Sequence, residues 1–182
     1  YLSIIFTGIF LNNEDAGLYS SVITIVSILT FIPKLFTQVF LPEFSKLFGE
    51  GNKQKITKII KRSFWVMLLI AIVVCSILYY FAGNILSIFG DSFVKADIIL
   101  KIIIPSIFIR MISIPFVSFL SGTKYIIFPN IGGLLILFIS LTAWLLLVPD
   151  LKLIGIAVGY TIGIFVGISY QIFMAILKIR IF

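Results

Sequence analysis

Two cations set in otherwise apolar runs are the residues of this sequence best placed to do chemistry. Lys34 stands in a hydrophobic stretch over residues 17–41, and Arg110 in another over 98–120. Holding an ionised side chain in hydrocarbon costs at least about 3 kcal/mol, so such a residue turns toward protein or water. Counted at about 1.5 Å per residue from the basic end of each stretch, Lys34 is about 12 Å deep and Arg110 about 15 Å deep. Each belongs to a polar stripe. Ser20, Thr24, Ser27, Lys34 and Gln38 recur at three-four spacing, with Thr30 and Thr37 at the border and Pro33 freeing a backbone carbonyl. Ser106 and Ser113 flank Arg110 at i−4 and i+3, between Pro105 and Pro115. No Asp, Glu or His falls in an apolar stretch, so neither cation has an acidic partner at its own depth. Two such cations at one level point to a cavity for an anionic, phosphate-bearing ligand. The plainer alternatives are a Lys34 that snorkels to the headgroups and an Arg110 satisfied by backbone carbonyls. Asn130, after Pro129 and on a face with Gly133 and Ser140, lines the same cavity or bonds a neighbouring backbone.

Other chemistries lack their residues. Histidine is absent, which removes the commonest general base and metal ligand. Apart from Glu14 and Asp15 the carboxylates are scattered singly through loops, with no pair to hold Mg²⁺ or serve as base. The single cysteine, Cys75, lies in an apolar run and reads as a small buried or lipid-facing residue. No catalytic residue, metal or cofactor is expected, and an enzyme such as a membrane glycosyltransferase is disfavoured.

The elements that position these residues follow from composition. Hydrophobic residues make up 61% of the 182 and charged residues only 12%, with mean hydropathy +1.24. Soluble domains carry about a quarter charged residues, so lipid must be the solvent here. Stretches 17–41, 64–88, 98–120, 126–148 and 153–177 are each long enough to cross a core of about 30 Å. Nothing alternates as barrel strands do. The fold class is all-α, a polytopic transmembrane bundle of about five spans forming one unit over 1–182. Residues 1–11 read as the tail of a further helix, and the whole as a fragment.

Charge sets the orientation. The net charge is +7, yet its placement argues against nucleic acid. Lys46, Lys53, Lys55, Lys58, Lys61, Arg62, Lys124, Lys178 and Arg180 fall on one side of the five stretches, Lys95 and Lys152 on the other. The cation-rich side is cytoplasmic by the positive-inside rule, which places the chain in a cytoplasmic (inner) membrane. Within the long loop at 42–63, Ile56, Ile59, Ile60 and Phe64 oppose the lysines at helical spacing. Residues 50–63 therefore read as an amphipathic interfacial helix held by anionic lipids. Trp65, Tyr79, Tyr80, Tyr125 and Trp144 lie toward span ends, where amphipathic rings favour the interface. Lys101 is expected to reach outward to Asp97. Gly155, Gly159, Gly163 and Gly167, four apart, mark a face for close helix packing.

The segment "AGLYSS" leads through an apolar helix to "LPEFSKLFGEGN", followed by the basic stretch 53–62. With Gly17, Tyr19, Ser20 and Pro42 in that order, this resembles the second half of the polysaccharide flippases. These belong to the multidrug/oligosaccharidyl-lipid/polysaccharide exporter superfamily. "LSIFGDSFVKA" at 86–96, with Phe89 and Gly90, and "GIAVGY" at 155–160 are likewise similar. The resemblance runs through nearly the whole chain. It implies one lobe of a two-lobed, alternating-access transporter, with a second lobe of the same chain as partner. It also implies a cargo of polyprenyl-pyrophosphate-linked glycan, met by Lys34 and Arg110 with Gln38, Asn130, Ser106 and Ser113 around them. A cation-coupled multidrug exporter of the same superfamily is the alternative.

Overall fold

A computed structural model describes residues 2–181, leaving aside the side chains of residues 32–34 and 181. In order come α1 (Leu2–Phe10), α2 (Asn13–Leu29), α3 (Phe31–Gly49), α4 (Lys53–Tyr80), the short α5 (Ala82–Ser87), a 3-10 turn (Asp91–Ala96), α6 (Asp97–Ser121) and α7 (Ile127–Ile181). The all-α expectation holds. Among the described residues, three helices are long and apolar enough to cross a membrane: Lys53–Tyr80, Asp91–Ser121 and Ile127–Arg180. Large apolar side chains lie bare on the outside, among them Ile28, Val39, Leu69, Ile88 and Leu146, a surface suited to acyl chains.

The last helix is a hairpin. A straight helix would separate Pro129 from Gln171 by about 63 Å, yet Gln171 Nε2 donates to the Pro129 carbonyl at 3.1 Å. The reversal sits at Lys152, with φ 48° and ψ −125°, three residues after Pro149. Two arms result, 127–151 and 153–181. Trp144, expected at the membrane interface, is instead buried in the hairpin, and its indole N–H donates to the Ile156 carbonyl at 3.0 Å.

Helix α6 forms the buried centre and packs against α3, α4 and α7. One cluster gathers Tyr19 and Val22 of α2, Cys75 and Leu78 of α4, Leu100 and Ile103 of α6, and Trp144 and Ile156 of α7. A second, at the opposite end, joins Phe44 and Leu47 of α3, Ile56 and Ile60 of α4, Phe119 of α6 and Ala175 of α7.

Two expectations need correction. The stretch 17–41 is not one helix. The chain breaks at Thr30 between α2 and α3, just ahead of Pro33, which has no N–H to give back to the preceding turn. Nor is 42–63 a long loop with a separate interfacial helix. Pro42 lies inside α3, which runs on to Gly49. There the helix ends in a Schellman turn: Gly51, at φ 67°, donates to Phe48, and Asn52 donates to Leu47. Asn52 then caps α4 by accepting from Lys55 N–H at 3.1 Å. The segment 50–63 is thus a turn plus the opening of a continuous 28-residue helix. Ile56 and Ile60 pack on protein, because the returning ends of α3, α6 and α7 cover that face first.

Candidate functional site

Arg110 lies near the middle of α6, thirteen residues past Asp97 and eleven before Ser121. Its side chain borders a cavity of about 660 Å³ bounded by α3, α6 and both arms of α7. The polar lining is Thr30, Thr37, Gln38, Arg110, Ser113 and Gln171, and Ile114, Val117, Ile136 and Ile168 complete the wall. No carboxylate is among them. The structure therefore brings Arg110, Gln38 and Ser113 together, as the polar stripes suggest.

The geometry leaves the arginine under-used. Its Nε is buried and has no hydrogen-bond partner among the described residues. An unmade bond to a buried charged group costs about 1–3 kcal/mol or more, and a ligand oxygen would recover that cost. Ser113 Oγ donates at 2.8 Å to the Arg110 carbonyl, so its remaining capacity is to accept. Ser118 Oγ donates to Thr37 Oγ1 at 3.3 Å and ties α6 to α3 beside the cavity, which Thr37 lines.

The other candidates fall elsewhere. Lys34 is on the backbone of α3, and its side chain lies outside the described residues. Ser106 is fully buried and donates to the Ile103 carbonyl at 2.7 Å, away from the cavity lining. Asn130 is exposed and does not line the cavity. Lys101 does reach Asp97, at 2.8 Å. Gln171 is the residue that the sequence did not single out. It is buried, lines the cavity, and holds the hairpin closed through Pro129. Its only sequence signal is an amide in an apolar helix, one turn after Gly167.

The four glycines place the second arm of α7. A Cβ on Gly155 would meet the Leu147 carbonyl at 2.7 Å, and one on Gly167 the Gly132 carbonyl at 2.6 Å. At Gly159 it would strike Trp144, and at Gly163 the Ser140 hydroxyl. The stripe faces the first arm of the same hairpin, and so fixes one wall of the cavity rather than contacting a ligand.

Comparison with known proteins supplies a family. The family model described as MatE matches residues 1–144, the greater part of the chain. No curated protein and no solved structure matches.

Proposed function

The chain belongs to the MatE family, and from that premise we propose that it carries an anionic amphiphile across the membrane by alternating access through the Arg110 cavity. It is a polytopic membrane protein of a transporter family and not an enzyme. The observation that carries the reading is a guanidinium half-buried in a cavity of about 660 Å³ whose lining holds no carboxylate. A fixed positive charge in a partly dry site favours phosphate or carboxylate and disfavours cationic drugs.

The finest form of this reading takes a glycan on a polyprenyl pyrophosphate, with the diphosphate at Arg110 and the sugars among Thr30, Thr37 and Gln38. Lys34 would join it from α3, and a second lobe of the same chain would close the cavity. A cation-coupled multidrug exporter is the second reading, and the family match favours it. It also gains a carboxylate in Glu43, which the extended α3 places in a smaller cavity of about 340 Å³ beside Arg62.

Arg110→Gln in the full-length protein separates the two. Under the glycan reading surface glycan falls at least about tenfold, the loss expected from one charge-assisted bond, with protein level unchanged. Retained glycan together with drug sensitivity in Glu43→Gln cells would establish the exporter instead. Unaltered phenotypes in both variants would remove the cavity from transport.

A further inference from the structure

The cationic opening of α4 has no part in the cavity, and its charges are poorly placed for the helix alone. Lys53, Lys55, Lys58, Lys61 and Arg62 crowd its first ten residues, and its first turn holds no acid. The N-terminus of a helix already carries about half a positive charge, and cations three or four apart repel. Among the described residues none of these five pairs with a carboxylate. Lys53 donates to the Arg180 carbonyl at 2.8 Å. An external anion would offset this accumulated repulsion.

The shape beneath the charges identifies that anion. Burial of Ile56, Ile60, Met67, Ala71 and Leu78 fixes the rotation of α4. The opposite face, turned outward, holds a groove of about 640 Å³ with Lys58, Lys61, Arg62 and Trp65 along it. Below the groove the same face turns apolar: Trp65 is 66% exposed and Leu69 66%, followed by Ile72 and Val73. At about 1.5 Å per residue, Lys58 is some 10 Å along the axis from Trp65, a separation that long basic side chains bridge across the headgroup layer. One helix face thus presents cations, an interfacial ring and an oily strip in the order of a phospholipid's own parts.

We propose that this face of α4 is a selective site for an anionic phospholipid of the cytoplasmic leaflet. Its phosphate sits among Lys58, Lys61 and Arg62, and its acyl chain runs past Trp65 along Leu69 and Ile72. An acidic protein segment would satisfy the charges but leave Leu69 and Ile72 with no counterpart, so lipid is the better fit. The site stands independently of the cargo proposed for the Arg110 cavity.

Brominated lipids read it directly. The full-length protein is reconstituted in phosphatidylcholine, with either brominated phosphatidylglycerol or brominated phosphatidylcholine at equal mole fraction. The Trp65 signal is the fluorescence lost in Trp65→Phe. Since each surface cation contributes about 1 kcal/mol to anionic lipid binding, three of them give at least about tenfold stronger association for phosphatidylglycerol. The preference should fall below about twofold in a Lys58→Gln, Lys61→Gln, Arg62→Gln variant, and survive in Lys58→Arg, Lys61→Arg. Equal quenching by the two lipids, or a preference untouched by the triple variant, overturns the site. Displacement of the lipid by soluble polyglutamate at physiological salt would assign the face to an acidic protein, and displacement by millimolar inorganic phosphate to a free anion.

Discussion

At the scale of single residues, Arg110 and Gln171 divide the labour of the cavity. Arg110 offers charge and a fork of donors, and its buried Nε lacks a partner among the described residues. Arg110→Lys keeps the charge but loses the fork, so transport measured in proteoliposomes should fall several-fold while the Ala variant falls further. Equal activity in both variants would mean that shape, not charge, is what the site reads. Gln171 serves the wall instead. Gln171→Leu removes the bond to the Pro129 carbonyl that joins the two arms, and a hydrogen bond of this kind is worth about 0.5–1.5 kcal/mol. A thermal-shift assay in detergent should show a lowered Tm for Gln171→Leu and little change for Arg110→Gln. Arg110, Gln38 and Ser113 were legible from sequence because polar groups in an oily run stand out, and three-four spacing sets Arg110 and Ser113 on one face of α6 and Gln38 on the polar stripe of α3. Gln171 was not, since its meaning depends on Pro129, 42 residues away, and only the hairpin joins them. Ser106 misled for the reverse reason. In a membrane helix a serine can satisfy itself on its own backbone, as it does on Ile103, and so need not face water.

At the scale of elements, junctions decide more than spans. The apolar stretches match α6 within one residue at each end and the two arms of α7 within four, because hydropathy averaged over twenty positions is a strong signal. Junctions rest on one or two residues. Gly51 and Asn52 announce a helix stop and restart, yet polar composition made 42–63 look like a loop. Pro42 reads as an end but lies within α3, where its missing N–H frees only the carbonyl of exposed Gln38. Gly51 at φ 67° makes the turn testable: Gly51→Ala should cost about 1 kcal/mol, read as a lower Tm, whereas Gly49→Ala, with nothing within 4 Å of its added Cβ, should cost nothing. The hairpin is tighter still. Gly163→Ala drives a methyl into the Ser140 hydroxyl, and overpacking of this kind costs about 1–3 kcal/mol. If that contact is the cause, Ser140→Ala restores part of the lost stability in the double variant. A strictly additive pair would place the strain elsewhere, at the Ile136 carbonyl.

At the scale of the whole molecule, packing and charge give the same polarity. One end gathers Phe44, Leu47, Ile56, Ile60 and Phe119, and around it Lys53 reaches Arg180 while Lys124 and Lys178 lie over the Tyr125 ring. The other end holds Lys152 with Phe6, Leu11, Trp144 and Pro149 around a small cavity, and the 3-10 turn packs there on α2 and α5. Helices α2 and α3 together run between these ends despite the break at Thr30, since Tyr19 belongs to one cluster and Phe44 to the other. Between Lys53 and Arg180 the chain accordingly makes an even number of end-to-end passes: α4, α6 and the two arms of α7. Cations in excess at the first end would place it in the cytoplasm by the positive-inside rule, an assignment that accessibility checks. In a Cys75→Ala background, single cysteines at Lys95 and Asp150 should react with a membrane-impermeant maleimide in intact cells. Cysteines at Gln54 and Lys124 should react only after permeabilisation. Labelling of positions 54 and 150 from the same side would contradict the three passes between them, α4, α6 and the first arm of α7. The hairpin at Lys152 would then lie within one leaflet, and the wall it gives the Arg110 cavity would no longer reach across the bilayer, which alternating access requires.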